Sequence, residues 1–418
     1  METHDVIVIG AGLAGLRCAT RLAEAGLDVV VLEASDVVGG RQRTDVIDGF
    51  RLDRGFQVLN PAYPAVKRWV DVDALDLQRF PVGVRVRRED KTVELRHPLR
   101  HPASILTTLR SGVVTAADAA ALTRWVLPVL ARPRSVISAA IAGADVSLSE
   151  GWDRAGLRGP LRTEVLESFL AGVLADDRGE TSDAFAKLLV RMFVLGSPGV
   201  PAQGIGALPA QLAARAEAAG ASIRLGARVA RVSTRVVDIQ GGDSLRGRAI
   251  VVAVGPEVAA DLIDIPRPAT RSLQTWWFAT DAAPTTAATL AVDGRRRGPI
   301  VNTVVMSNCA PSYAPAGMHL IEATCLLSSS SGGAPAEAEV RRQLGEIWDA
   351  DVASWRLIRR DDIPDALPAQ PPPLRVTKSV RVSDGLYVAG DHRDTASIQG
   401  ALVSGERAAM AVLADNAG

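Results

Sequence analysis

An α/β fold with two interleaved domains is what this sequence predicts, and three observations carry it. A buried-strand pattern at 5–9 runs straight into Gly10-Ala11-Gly12-Leu13-Ala14-Gly15 and then a helical pattern. A second small-residue turn, Gly390-Asp391, follows another apolar strand near the far end of the chain. Between the two, helical periods over 61–200 give way to alternating strands beyond Pro256. At 418 residues the chain exceeds the size at which one core keeps growing, so two domains are expected. One is a Rossmann-like dinucleotide-binding domain from residues 1–60, 201–255 and 380–418. The other is a discontinuous, mixed helical and sheet substrate domain from 61–200 and 256–379.

Composition narrows the partners. The 47 basic and 47 acidic residues cancel, which gives no electrostatic case for nucleic acid. Cys18, Cys309 and Cys325 fall in no motif and read as small buried residues of a reducing compartment. No signal peptide is evident and no apolar run reaches ~18 residues, so the expected location is cytoplasmic. The five histidines and three cysteines show no metal-ligand spacing.

The first turn has a chemical logic. Gly10 allows a tight turn, Gly12 lets backbone approach a pyrophosphate, and Gly15 lets helix and strand pack closely. The helix N-terminus, at Leu13 and Ala14, offers free N–H groups to phosphate. A second strand pattern, 27–32, ends at Glu33-Ala34, where a carboxylate can bind a ribose hydroxyl pair. The stretch "ASDVVGGRQRTD" then places Gly39-Gly40-Arg41 and Arg43 beside the phosphate site.

This run, with the "DGFRLDRGFQVLNPAYP" that follows, resembles the superfamily of flavin amine oxidases, protoporphyrinogen oxidases and phytoene desaturases. The resemblance implies an FAD-dependent oxidoreductase holding FAD without a covalent link. It implies that Gly39, Gly40 and Arg41 lie along the pyrophosphate and ribityl chain. Gly55, Phe56 and Gln57, with Val58, would lie near the isoalloxazine, within a site floor at 53–60. A residue matching Val229 packs on the adenine in such proteins. Ala253, in "RAIVVAVGP", ends a strand that brings backbone near the cofactor.

The C-terminal stretch "VAGDHRDTASIQGALVSGERAA" completes the expected grip. Asp391, after Gly390, can accept a ribityl hydroxyl. Ser397, Ile398, Gln399 and Ala401 open the last helix, whose dipole would face the flavin pyrimidine ring. His392 is placed near the phosphates or ribityl chain. No second strand–GxGxxG–helix unit is visible, so a diffusible acceptor, oxygen or a quinone, is expected to re-oxidise the flavin.

The substrate side is less legible. The region 61–200 reads as predominantly helical, with a helix start near Thr115 and an interruption at Pro128. Residues 101–131 are largely uncharged. Lining an apolar tunnel, resting peripherally on a membrane surface and plain packing are all open for them. Strand patterns at "LQTWWFAT", "AATLAVDG", "PIVNTVVMS" and "MHLIEATCL" should roof the flavin, and "PAQPPPL" reads as an extended linker. Tyr63, Trp276, Tyr313 and His319 are candidates for the substrate side.

Two features of typical amine oxidases in that superfamily are missing. Residues 255–300 hold no lysine to stand near flavin N5, and Arg271 is the nearest basic candidate. Ser397 or Ile398 stands where an aromatic would flank the flavin. The expected chemistry is dehydrogenation or isomerisation of an apolar, isoprenoid or lipid-like small molecule. Amine oxidation and a non-catalytic FAD-binding scaffold are the alternatives. Glu322 is the one carboxylate noted for holding an ammonium group, and no catalytic residue is assigned.

Overall fold

The computed structural model describes residues 1–96, 108, 110–327 and 333–416. Two sheets organise them. The first is centred on Glu2–Ile9, whose Val6, Ile7, Val8 and Ile9 are all buried. That strand runs parallel to Val29–Leu32 on one side and to Ser244–Val252 on the other. Ser222–Arg224 extends the sheet beyond Val29–Leu32. Ser244–Val252 divides its outer edge. Its first half pairs with Val236–Ile239, and its second half runs parallel to Leu386–Val388. Continuous apolar runs suit such strands because both faces are buried: Val6 and Val8 face a helical core, while Ile7 and Ile9 face a second core with Val237, Leu245 and Ala259.

The helix Leu13–Ala23 packs between the last helix, Ile398–Asn416, and Ala207–Ala218. A Cβ at Gly405 would lie 2.2 Å from the Ala14 carbonyl oxygen, so the first and last helices touch backbone to backbone there. Beside that contact Arg17 pairs with Glu406 at 2.7 Å.

The second sheet has seven strands, in the order Arg356–Pro368, Thr270–Thr280, His319–Leu326, Ile300–Val305, Leu290–Asp293, Gly83–Arg87, Thr92–Arg96. All neighbours are antiparallel except Leu290–Asp293 with Gly83–Arg87. Side chains alternate faces along a strand. Trp276 and Phe278 therefore point one way, into a core with Trp348 and Trp355. Trp277 and Ala279 point the other way, toward Phe50, Phe80 and Val200.

Two expectations need correction. The region 61–200 is not helical throughout, because Gly83–Arg87 and Thr92–Arg96 form a hairpin that joins the second sheet. Both strands alternate apolar and charged residues, "GVRVR" and "TVELR", a period-2 signal. The helix Ala116–Ala131 runs through Pro128, and Arg132 N–H still reaches the Pro128 carbonyl at 2.9 Å. Its start is as expected, with Thr115 and Asp118 forming a capping box. The expected linker stands: the strand Arg356–Pro368 ends where "PAQPPPL" begins.

The expected wall at 101–131 lies partly outside the described residues. Its described helix commits Ala121, Trp125 and Val126 to a core with Trp152 and Phe185, which is the packing alternative. No single described helix is long and apolar enough to cross a membrane.

Candidate cofactor and substrate site

The two turns meet at the ends of the three central parallel strands. Gly10 N–H donates to the Leu32 carbonyl (2.8 Å), Ala253 N–H to Ile9, and Ala389 N–H to Val252. These bonds line up Gly10, Ala253 and Gly390 at one edge. Gly15 shows why its residue type matters: a Cβ there would sit 2.0 Å from the Gly10 carbonyl oxygen and 3.3 Å from the Ala253 Cβ. At Gly12, by contrast, a Cβ would meet nothing within 4 Å, so the turn presents bare backbone to open space. Leu13 and Ala14 are buried behind it.

Glu33 anchors the turn. Its Oε2 accepts from Ala11 N–H (2.8 Å) and its Oε1 from Ser35 N–H (2.9 Å). Each oxygen keeps a lone pair for a further donor. Ala227 N–H donates to the Glu33 carbonyl and Gly226 N–H to that of Ser35, which brings Val229 beside the same corner. Ala34 is exposed at its rim. Gly39 N–H donates to Ala11 (2.9 Å), folding Gly39-Gly40 back over the first turn.

Arg41 joins the two halves of the site. Its guanidinium donates to Asp391 Oδ1 at 2.6 Å and to the Ala366 carbonyl at 2.9 Å. Burial opposes its charge, and the carboxylates of Asp391, Glu257 and Asp365 more than offset that. Although it lies deep, 37% of its side chain stays reachable by water, as expected for a group on an internal groove. Gln57 donates to the Arg41 carbonyl (2.7 Å) and fixes the loop carrying Gly55 and Phe56. Gly55 faces Ile363 and Leu273, while Phe56 packs edge-on against Phe80. Below the loop, Asp53 accepts from Thr44, Tyr313 and Ile205 N–H.

The C-terminal turn is equally specific. Gly390 N–H donates to the Ser404 hydroxyl, and Ser397 caps the last helix by accepting from Gly400 N–H. Ile398 and Ala401 pack partly buried against the core of the first sheet. Gln399 turns away: its side-chain oxygen accepts from Ala65 N–H at 2.8 Å, so only its backbone is left for the site. His392 is 2% exposed, and neither ring nitrogen has a hydrogen-bond partner among the described residues. Burial pushes its pKa down to about 4, so the ring is neutral at pH 7.

Of the four substrate-side candidates, Trp276 faces the opposite side of the second sheet and Tyr313 is bound to Asp53. Tyr63 packs against the first core, and His319 lies within 3.3 Å of Ser307 at its strand's beginning. Arg271 is drawn to Glu180 (3.2 Å) and Asp176 (3.7 Å). Sequence reasoning missed Glu257, whose carboxylate packs over Gly255 and faces Arg41. It stands one residue past the turn that the strand pattern revealed.

The profile described as flavin containing amine oxidoreductase matches residues 13–413. The chain belongs to that family. It is an FAD-dependent oxidoreductase. A putrescine oxidase from Kocuria rosea is 43% identical over 84 residues, 20% of this chain and 18% of that one. A hydroxyneurosporene desaturase from Rubrivivax gelatinosus is 40% identical over 70 residues, 17% of this chain and 12% of that one. The matched stretches thus span under a fifth of those curated relatives. Among solved structures, an oxidoreductase from Methanosarcina mazei superposes with a TM-score of 0.71 at 17% identity, covering 99% of this chain and all of that one. A redesigned putrescine oxidase gives 0.71 at 18% identity, with 99% of each chain covered. These similarities describe the fold.

The residues present fit the cofactor. The uncrowded backbone at Gly12, the water-reachable Arg41 and the two unpartnered nitrogens of buried His392 all belong to the two turns and the segment that joins them. Gly10–Gly15 and Glu33 would hold the adenosine and pyrophosphate end. Arg41, Asp391 and the start of the last helix would hold the ribityl and flavin end.

Proposed function

We propose that this enzyme carries out two-electron dehydrogenation, or the related isomerisation, of an apolar, isoprenoid or lipid-like substrate, and that oxygen or a quinone takes up the electrons. When bound, FAD would supply a two-electron acceptor able to take a hydride from a C–H bond while a neighbouring proton leaves and the C–C or C–N single bond becomes double. The chain's own residues provide binding, orientation and exclusion of water.

One observation carries the substrate reading. Beside the Arg41 groove lies an apolar patch in which Leu273 and Leu326 form a cross-strand pair, packed with Ala171, Ala175, Ile363 and Leu367. Ala366, whose carbonyl receives Arg41, belongs to the same patch. Its core members are buried, and its partly buried rim, Ile363, Ala366 and Leu367, is the part an apolar chain would cover, at roughly 25 cal/mol per Å². The absence of lysine from 255–300 and the tethering of Arg271 to Glu180 add support.

Amine oxidation is the second reading, favoured by the likeness to a putrescine oxidase. Anaerobic mixing of the holoenzyme with a panel of isoprenoids, long-chain alcohols and polyamines separates the two. Bleaching of the flavin band by apolar members and not by polyamines is the expected result. Rapid reduction by a polyamine alone would overturn the proposal.

A further inference from the structure

Four polar atoms share one face of the second sheet without a hydrogen-bond partner among the described residues: Thr275 Oγ1, Trp277 Nε1, Asn302 Oδ1 and Glu322 Oε2. Thr275, Trp277 and Glu322 are fully buried and Asn302 is 4% exposed. Strand register makes them neighbours. Trp277 lies opposite Glu322, Thr275 opposite Thr324, and Thr324 opposite Asn302. The next pair along the same face is Leu273 with Leu326, in the apolar patch beside Arg41. Glu322 thus stands about 13 Å of strand from that patch. Trp277 packs with Phe56 and Val58, so this face looks toward the floor of the cofactor groove.

Burying four such groups without partners is costly, and folds rarely keep an arrangement of this kind by chance. The chemistry of the group is mixed. Trp277 can only donate, Asn302 Oδ1 can only accept, and the Thr275 hydroxyl can do either. Burial holds the Glu322 carboxyl well above the usual carboxylate range, and the Thr324 hydroxyl donates to its other oxygen. Arg359, opposite Trp277 on the other neighbouring strand, is committed to Asp45 and Asp361. Burial thus favours the protonated Glu322 carboxyl, a form that can donate as well as accept.

We propose that Glu322, Thr275, Trp277 and Asn302 form a subsite for an uncharged hydrogen-bonding group, a hydroxyl or carbonyl, at the distal end of an otherwise apolar substrate. The reacting bond lies at the Leu273–Leu326 end. The inference rests on the apolar-substrate reading and narrows it from hydrocarbon to amphiphile.

The test uses the holoenzyme, with octane, 1-octanol and octylammonium as probes and the rise in thermal midpoint with probe concentration as the readout. Wild type should bind 1-octanol about tenfold more tightly than octane, and octylammonium no better than 1-octanol. Glu322→Gln, still neutral and hydrogen-bonding, should keep that preference. Glu322→Leu and the near-isosteric Thr275→Val should each reduce it to about threefold or less. Thr275→Val carries the test if Glu322→Leu does not fold.

Equal binding of octane and 1-octanol by wild type, or no binding of any probe, overturns the subsite. So does tighter binding of octylammonium that Glu322→Gln abolishes, because that marks a cation site. Reduction of the flavin by a polyamine with the 1-octanol preference intact would instead overturn the apolar-substrate reading alone.

Discussion

Gly15→Ala is the sharpest test of how the first turn is built. The new Cβ would lie 2.0 Å from the Gly10 carbonyl oxygen, where real contacts stay above 3.0 Å. The obstacle is backbone, so the turn must retreat by about 1 Å; no side chain can swing aside. On its other flank the Ala253 Cβ at 3.3 Å leaves no room for the helix to rotate instead. Overpacking of this kind costs about 1–3 kcal/mol. In the cofactor-free protein the turn can relax and shed part of that strain. Binding must restore it, so FAD affinity should fall by roughly 5- to 150-fold. Titration of apoprotein with FAD, followed by flavin fluorescence, measures the change. Gly242→Ala is the control: its nearest neighbour is an Ile239 methyl at 3.5 Å, an ordinary contact, and it lies on a distant turn. Unchanged FAD affinity and thermal midpoint in Gly15→Ala would refute the close-packing argument.

Three other outcomes are expected. Glu33→Ala should purify largely as apoprotein, since a charged hydrogen bond is worth about 1.5–3 kcal/mol and Ala11 and Ser35 also lose their acceptor; full FAD occupancy would count against Glu33. Mild denaturation should release all flavin as FAD, because Cys18 is buried in the first helix and burial raises all three thiols; flavin retained on the denatured chain would contradict this. Burial raises the Asp53 carboxyl from 3.8 to about 6, so the fold binds that proton more tightly than the open chain does. Its contribution, on the order of 3 kcal/mol, is full below about pH 4 and is lost as pH rises through about 6. His392 has the opposite sign, with a contribution present above 6.5 and lost as pH falls toward about 4. The difference in thermal midpoint between wild type and Asp53→Asn isolates the first effect, and wild type should lose ground to the variant as pH rises from 4 to 7.

The parts of the site that the sequence revealed are those where backbone geometry restricts residue choice. Gly15 is legible because only hydrogen fits against the Gly10 carbonyl, and Glu33 because a strand end fixes its distance from the turn. Asp391 could be placed near the cofactor, but its ion pair with Arg41, 350 residues away, has no local signature. Gln399 stands on the last helix as expected, but that Ala65 from another segment donates to its side chain has no local signature either. Leu273 is one apolar residue in an apolar strand, and only pairing with Leu326 and proximity to Gly55 give it a role. Glu322 was visible as an oddity. That its neighbours are also unpartnered follows from register across three strands, which no single stretch encodes.

The strand Ser244–Val252 receives Glu2–Ile9 on one edge and Leu386–Val388 on the other, so the first and last parts of the chain close the same sheet. During synthesis at roughly 5–20 residues per second, about 20–70 s separate the emergence of Arg41 from that of Asp391. Throughout that interval one strand edge of the nascent sheet has no partner, and the cofactor has only half a seat. Closure of the sheet is then a late event, completed only when the final segment arrives. Until then the open strand edge invites chaperones or aggregation, so a chain cut short before residue 386 would keep that edge exposed for good.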